Sequence, residues 1–131
     1  MSITENKELV LGFFADIGKG NIQGALDRMA EDLRFTLIGT TRFSGVCKSR
    51  KEFVDRIMAP LGAQLEGPLT ITADNLIAEG EFVVVQSHGR STTRKGVAYD
   101  NTYCQVFRIA DGRIREATEY LDTELITRAL A

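Results

Sequence analysis

The stretch YDNTYCQVFRIADGRIREATEYLD, residues 99–122, predicts the centre of the fold. An Asp-Gly pair lies in its middle, between two runs of strand-forming residues. Such a pair with strand-forming flanks is a strong short-range signal for a β-hairpin. Because successive side chains of a strand point to opposite faces, we expect Ala117, Glu119 and Leu121 to share one face of the second strand.

The environment of Glu119 depends on which face of that strand is buried. If the face shared with Ala117 and Leu121 is buried, the carboxyl loses its hydration and its pKa rises, which suits a general acid or base. If the face is the outer one, Glu119 is a solvated glutamate, which is the commoner fate of this residue type. The residue pattern alone leaves both interpretations open.

The composition predicts one globular domain that spans residues 1–131. The chain is 44% hydrophobic and 26% charged, which is typical of folded proteins and not of disordered ones. Eighteen acidic against sixteen basic residues give a net charge of -2. Nucleic acids and membrane surfaces select concentrated positive charge, so we expect neither as a partner.

The cysteines and the hydropathy pattern narrow the expected setting. Cys47 and Cys104 form neither a metal-ligand spacing nor a disulfide framework, which is the usual state of cysteines in a reducing compartment. No apolar run approaches the length that crosses a bilayer, and the amino terminus lacks the pattern of a signal peptide. We therefore expect a small cytoplasmic protein that uses no metal ion.

Capping signals predict two helices at the amino terminus. Ser2 and Glu5 form a capping box for a first helix, which the glycines at 18 and 20 should end. Asn21 is a suitable N-cap for a second helix that runs through Met29. Apolar residues recur at helical spacing in both segments, so both helices should bury one side.

A strand and a third helix are expected next. Residues 34–38 predict a short strand, and residues 39–45, GTTRFSG, predict a loop. Ser49 and Glu52 form a second capping box, which opens the third helix. Pro60 should bend or end that helix, because proline lacks the backbone N–H and its ring obstructs the preceding turn.

The second half of the chain predicts a sheet. Residues 69–77 and 82–90 predict two strands around a turn at 79–81, and the hairpin of residues 99–122 adds two more. A short terminal helix should follow. This order predicts an α+β fold, with helices on one face of a four-strand antiparallel meander.

These elements together resemble the SnoaL-like, ketosteroid isomerase-like branch of the nuclear transport factor 2-like superfamily, which also includes polyketide cyclases and limonene epoxide hydrolases. The resemblance covers essentially the whole chain. Its most recognisable pieces are YDNTY at 99–103, VFR at 106–108, DGRI at 111–114 and EYLDT at 119–123. It implies a cone-shaped fold, in which three N-terminal helices pack on a curved, mostly antiparallel sheet and enclose an apolar pocket.

The resemblance also implies a site. A catalytic carboxylate of the family occupies the position of Glu119 and points into the pocket, and we expect His88, the one histidine of the chain, to face it. Aligned strands and helices would supply the residues that bind a substrate: Tyr103, Asn101, Gln86, Gln105, Phe35, Leu37, Phe13, Phe14, Leu121 and Ala117.

The roles expected for these residues follow from their chemistry. A histidine held by a carboxylate can take a proton at neutral pH. Tyr103, Gln86 and Asn101 could donate hydrogen bonds to a carbonyl or enolate oxygen. The alternatives also stand: His88 could be a hydrogen-bonded residue without chemistry, and Tyr103 could pack in the core with its hydroxyl satisfied.

The chain departs from two activities of the family. The epoxide hydrolases use an Arg, an Asp, a Tyr and an Asn, whose places are taken by Gln86, His88, Phe35 and Leu37. The ketosteroid isomerases use a Tyr and two acids, whose places are taken by residues near Phe13, Leu37 and Gln105. Neither set is present, so neither activity is expected.

Two functions remain. The first is an enzyme that performs acid/base chemistry without a cofactor (isomerisation, cyclisation, or hydration or hydrolysis) on a small apolar carbonyl compound. The second is a binding or accessory domain that uses the same pocket without turnover, or that mainly offers its sheet for pairing. Buried ionisable side chains with shifted pKa values would favour the enzyme.

A homodimer is expected from the outer face of the sheet. Homologues of this fold usually pair through that face. Here it should carry a mixed polar and apolar surface of the kind that two partners share. Its residues would be Thr102, Cys104, Val106, Arg108, Glu116, Thr118 and Tyr120.

Overall fold

A computed structural model describes residues 2–130, beginning with helix α1 (Ile3–Gly18). The predicted capping box is present. The Glu5 N–H donates to Ser2 Oγ over 3.1 Å, and the Ser2 N–H donates to Glu5 Oε1 over 3.0 Å. These bonds satisfy backbone donors that have no partner within the helix, so α1 starts where the sequence predicts.

The second helix is shorter than predicted. Helix α2 (Ile22–Asp27) begins at Asn21, whose side chain accepts from the Gly24 N–H, but it ends before Met29. Met29 instead opens strand β1 (Met29–Leu37), where it is fully buried and pairs with Ile114. The predicted strand over 34–38 therefore starts five residues too late, because pairing with a distant strand overrides helical periodicity.

The predicted loop and third helix are also modified. Strand β2 (Gly45–Cys47) pairs with β1 at the end of the segment predicted as a loop. Helix α3 (Arg50–Phe53) continues through a π-helical turn (Val54–Met58) into helix α4 (Ala59–Gln64). Pro60 therefore does not end the helical segment. In the π-helical turn before Pro60, the Ala59 N–H donates to the Val54 carbonyl. Proline has no backbone N–H, so the wider turn leaves no donor at position 60 without a partner.

The remaining strands form the predicted meander. They are β3 (Thr70–Glu79), β4 (Phe82–Arg90), β5 (Thr102–Ala110) and β6 (Arg113–Leu121). The complete sheet has six strands in the order β2-β1-β6-β5-β4-β3, with β1 parallel to β6 and every other pair antiparallel. Helices pack on one face of this curved, unclosed sheet, so the predicted α+β class is confirmed.

The hairpin between β5 and β6 has the predicted tight turn. Asp111 has a φ of 54° and Gly112 a φ of 72°. Positive φ at both central residues is the geometry of a type I′ turn, whose twist matches that of the strands. The resulting register places Gln105 opposite Glu119.

Helix α5 (Thr123–Ala129) closes the fold. It begins at Asp122, whose Oδ1 accepts from the Leu125 N–H over 3.2 Å, and it buries Ile126. Within residues 2–130 no helix combines the length and apolar character that a bilayer crossing needs.

Candidate functional site

A cavity of about 320 Å³ lies between the concave face of the sheet and the helices. Its wall is mostly apolar. Six of the seven phenylalanines of the chain contribute to it: Phe13, Phe14, Phe35, Phe43, Phe53 and Phe107. This size and lining are typical of a site for a small apolar molecule.

Most of the predicted site residues surround this cavity. They are Glu119, Tyr103, Gln105, Phe35, Leu37, Phe13, Phe14, Leu121 and Ala117. The hairpin register and the parallel pairing of β1 with β6 explain this grouping. Leu37 and Gln105 flank Glu119 on the neighbouring strands, and Phe35 and Phe107 flank Ala117.

His88 and Gln86 lie elsewhere. The Nδ1 atom of His88 is 2.8 Å from a carboxylate oxygen of Asp74, and the His88 side chain is 44% exposed on the outer face of the sheet. Gln86 is also exposed and accepts a hydrogen bond from the amide of Asn75 over 3.0 Å. The expectation that His88 and Gln86 face Glu119 across one pocket is therefore wrong.

The reason is the register between β4 and β5. Ser87 pairs with Tyr103, so Ser87 shares the face of the cavity. His88 pairs with Thr102 and therefore shares the outer face. A shift of one residue in register moves every side chain of a strand to the other face, and the expected alignment of β4 was shifted by one residue.

Asn101 is fully buried but does not contribute to the wall of the cavity. Its Nδ2 atom donates to Tyr99 Oη over 3.3 Å and to the Asp122 carbonyl over 3.1 Å. Its Oδ1 atom accepts from the N–H groups of Thr102 and Asp122 over 2.8 and 3.0 Å. These four bonds use the whole amide, so the expected direct contact with a substrate is not available.

Glu119 is the ionisable group at the centre of the site. Its side chain keeps some accessible area because it faces the cavity, and no group of residues 2–130 donates a hydrogen bond to its carboxyl. Burial raises its pKa from 4.5 to about 7. A carboxyl with that pKa exists in both protonation states near neutral pH, so it can accept or donate a proton.

Gln105 lies beside Glu119 and is held in a defined orientation. The buried hydroxyl of Ser87 donates to Gln105 Oε1 over 2.7 Å. This bond leaves the amide nitrogen of Gln105 without a protein acceptor among residues 2–130. Ser87 was missed by the sequence analysis, because its role depends on the same register that places His88 outside.

Tyr99 is a second residue that the sequence analysis missed. It is buried, contributes to the cavity wall and lies beside Tyr103, with which its hydroxyl interacts. Burial raises the pKa of Tyr99 to about 12 and that of Tyr103 well above its usual range. Both phenols are therefore protonated at neutral pH and can donate. The available signal was the YDNTY motif, but Tyr99 precedes the strand and has no predicted face.

Gly89 provides the space that the Tyr103 ring occupies. A Cβ added at Gly89 would lie 3.1 Å from Tyr103 Cε2. That distance is tighter than ordinary van der Waals contact, so the ring would have to move. The inward-facing glycine of β4 thus helps to position Tyr103.

A metal ion has no evident site in this part of the chain. Residues 2–130 contain no group of three or more His, Cys, Asp and Glu side chains that could hold one.

Solved structures share this architecture. A protein described as NTF2-like and of unknown function, from Burkholderia pseudomallei K96243, is 22% identical, covers 100% of this chain and 99% of its own, and has a TM-score of 0.85. A putative SnoaL-like polyketide cyclase from Jannaschia sp. CCS1 is 22% identical over 99% and 94% of the two chains, with a TM-score of 0.79.

A third structure, AclR, a putative hydroxylase from Streptomyces galilaeus, is 18% identical over 97% and 96% of the two chains, with a TM-score of 0.79. No curated protein matches the chain. At these identities the structures establish the shared fold alone. The SnoaL-like domain model, however, matches residues 10–117, which contain most of the sheet and the cavity, and the chain therefore belongs to the SnoaL-like domain family.

Proposed function

We propose that this protein is a cofactor-free acid/base enzyme that acts on a small apolar carbonyl compound, with Glu119 as the group that transfers the proton. The observation that carries the proposal is a single carboxyl, with its pKa raised to about 7, in a cavity otherwise lined mainly by phenylalanine and aliphatic side chains. Shifted pKa values in a concave apolar site are typical of catalytic groups.

The reaction that suits this geometry begins with proton abstraction next to a carbonyl. The Glu119 carboxylate takes a proton from the carbon, and the electron pair of the broken C–H bond moves onto the carbonyl oxygen to form an enolate. Protonated Glu119 then returns the proton to another carbon, which gives an isomer of the substrate. In a cyclisation, the enolate carbon would instead attack a second carbonyl of the same molecule, and Glu119 would protonate the resulting alkoxide.

Neutral donors near Glu119 support the enolate step. The tyrosines at 99 and 103 are close enough to Glu119 to interact with it electrostatically, and Gln105 is its neighbour across the sheet. Preoriented donors in an apolar site stabilise developing oxygen charge more strongly than water does, because they need no reorganisation.

Hydrolysis is a less suitable reaction for this cavity. It requires polar groups that hold and orient the attacking water. On β1, Leu37 lies opposite Glu119 and Phe35 lies opposite Ala117, and neither apolar side chain can hold a water molecule. The donors nearby, Gln105 and the two tyrosines, suit the oxygen of an enolate. The geometry therefore favours proton transfer between carbon and oxygen over addition of water.

The alternative is a non-catalytic binding domain of the same fold. It is favoured by the predominance of apolar side chains in the cavity wall. The two functions differ in one measurable respect: only the enzyme requires Glu119 to change its protonation state.

The test is a screen of small ketones, enones and lactones, followed by the Glu119→Gln variant. This change preserves shape and removes proton transfer, so kcat/KM should fall by about a hundredfold or more. The matched control is Glu116→Gln, on the same strand but paired with Arg108 on the outer face. Full activity of Glu119→Gln on a substrate that the wild-type protein turns over would reject Glu119 as the catalytic group.

We also propose that two copies of the chain pair through the outer face of the sheet. The strand register aligns a largely apolar band across this face, in which Ile77, Val84 and Val106 are continued by the threonines at 118 and 36. Phe82 and Tyr120, each 47% exposed, lie beside it. A surface of this mixed polar and apolar kind can pair with a second copy of itself about a two-fold axis.

A further inference from the structure

The orientation of the Asn101 amide is determined by the backbone around it. Two backbone N–H groups, from Thr102 and Asp122, point at one side of the amide. An N–H can only donate, so the amide oxygen must occupy that side. The amide nitrogen must then face Tyr99 Oη and the Asp122 carbonyl.

The contact between Asn101 and Tyr99 limits where a phenolic proton can go. Tyr99 and Tyr103 together carry two hydroxyl protons, and their mutual interaction uses one of them at most. The other cannot be donated to Asn101, because Asn101 presents a donor of its own. Among residues 2–130 neither hydroxyl donates a hydrogen bond to any other protein acceptor, and both rings border the cavity, so this proton is available there.

Asn101 is also bonded to the start of the terminal helix. Asp122, whose N–H and carbonyl both bind Asn101, is the N-cap of α5. Ile126 of α5 and Leu130 just after it form part of the cavity wall. One buried side chain thus contacts both a cavity phenol and the first residue of an element that encloses the cavity.

We propose that Asn101 is a positioning residue, which directs one phenolic proton of the Tyr99–Tyr103 pair into the cavity and couples that donor to the seating of α5. The proposal rests on the proposed function in one respect: the ligand must carry an oxygen acceptor, such as a ketone. It adds that recognition of this oxygen depends on a residue that does not touch the ligand.

The variant that tests this is Asn101→Asp. Aspartate has nearly the same shape and still accepts from the two backbone N–H groups, but it cannot donate to Tyr99. Its carboxylate instead accepts the phenolic proton, which is then lost to the ligand. Asn75→Asp, the same change on the outer face of the sheet, is the matched control.

The probes are 1-indanone and indane, which have the same two-ring skeleton with and without a carbonyl oxygen. Binding is measured by calorimetry. In Asn101→Asp the affinity for 1-indanone should fall by about tenfold, the value of one hydrogen bond, while that for indane changes by less than about twofold. Equal changes for the two probes, or none, would overturn the proposal, because a purely structural residue does not distinguish a ketone from a hydrocarbon.

Amide hydrogen exchange of residues 123–129 provides a second readout that needs no ligand. It should be about tenfold faster or more in Asn101→Asp than in Asn75→Asp, because the bond to the Asp122 carbonyl is lost. Unchanged exchange would overturn the coupling to α5. If Asn101→Asp does not fold, Asn101→Ser replaces it, since serine removes the amide donor without adding charge.

These outcomes are separable from failure of the proposed enzyme. The affinity ratio requires no turnover, so it can support the role of Asn101 in a protein without catalytic activity. Conversely, loss of activity in Glu119→Gln with an unchanged affinity ratio in Asn101→Asp would reject the role of Asn101 alone.

Discussion

The two faces of the sheet carry two different carboxylate sites. On the inner face, Glu119 has no hydrogen-bond donor among residues 2–130, and burial raises its pKa to about 7. On the outer face, Asp74 lies 2.8 Å from His88, and both side chains are roughly half exposed. By distance alone the outer pair looks more like a catalytic pair.

Environment reverses that ranking. A contact between two exposed side chains is screened by water and contributes little free energy, whereas burial of a carboxyl without partners changes its proton affinity directly. The comparison shows that a short distance between ionisable groups is weaker evidence for chemistry than burial of one of them in a cavity.

The largest expected effect concerns the aromatic residues of the two faces. Phe35→Ala removes a buried ring of the cavity wall and should lower the free energy of unfolding by about 3–5 kcal/mol, with weaker ligand binding. Phe82→Ala, at a residue 47% exposed on the outer face, should lower it by roughly 1 kcal/mol or less in the monomer. Denaturant unfolding measures both, and similar losses would show that the two faces do not differ in packing.

The next effect is the dependence of stability on pH that Glu119 contributes. Its folded pKa of about 7 is above the unfolded value of 4.5, so the folded state binds the proton more tightly between these values. The stabilisation that Glu119 contributes to the folded state is therefore complete below pH 4.5 and is lost as pH rises to about 7. Relative to Glu119→Gln, the free energy of unfolding of the wild-type protein should fall by on the order of 3 kcal/mol as pH rises through this window.

Urea unfolding of both proteins at pH 4.5, 6 and 8 measures this difference. The comparison with Glu119→Gln cancels the contributions of the other carboxylates. If the two proteins differ in free energy of unfolding by the same amount at all three pH values, Glu119 is solvated. The inner face then does not shift the pKa of its carboxyl. In the enzyme, kcat/KM should also rise through about pH 7, because only the carboxylate accepts a proton.

A smaller effect is expected for pairing through the outer face. Val106→Glu places a charge in the centre of the apolar band and should weaken dimerisation by about tenfold or more. The change leaves the inner face of the sheet, including Ala117 on the next strand, as it is in the wild-type protein. Light scattering at tens of micromolar measures the mass of both proteins. A wild-type protein that is monomeric at this concentration would contradict the dimer.

The smallest effect is expected from the outer pair of His88 and Asp74. His88→Gln should change the free energy of unfolding by less than about 1 kcal/mol, because the pair with Asp74 is exposed. It should also leave kcat/KM within about twofold of wild type, since the ring cannot reach the cavity. A loss as large as that of Glu119→Gln would show that the outer face takes part in the reaction.

Local backbone chemistry by itself determined several features of this protein. The caps at Ser2 and Asn21 and the Asp111-Gly112 turn all occur where the sequence predicts them. Each depends on bonds or dihedral angles within a few residues, so the responsible groups are visible in a short window. The overall order of helices and strands follows from such windows.

The faces of the strands required the tertiary structure. Residues 82–85 of β4 are apolar at every position, so alternation could not indicate which side is buried. The pairing of Ser87 with Tyr103 settles it and places His88 outside. For Glu119 the pattern left both faces open, and the resemblance to a family, not periodicity, pointed inward.

The network behind the cavity was the least predictable part. Tyr99 lies before its strand, and Asn101 joins groups 21 residues apart in the chain through the backbone of Asp122. Met29 likewise leaves the predicted helix because it pairs with Ile114. A sequence specifies its caps and turns through neighbouring residues, but the face of a strand and the partners of a buried amide depend on contacts between distant segments, which form only when the chain is folded.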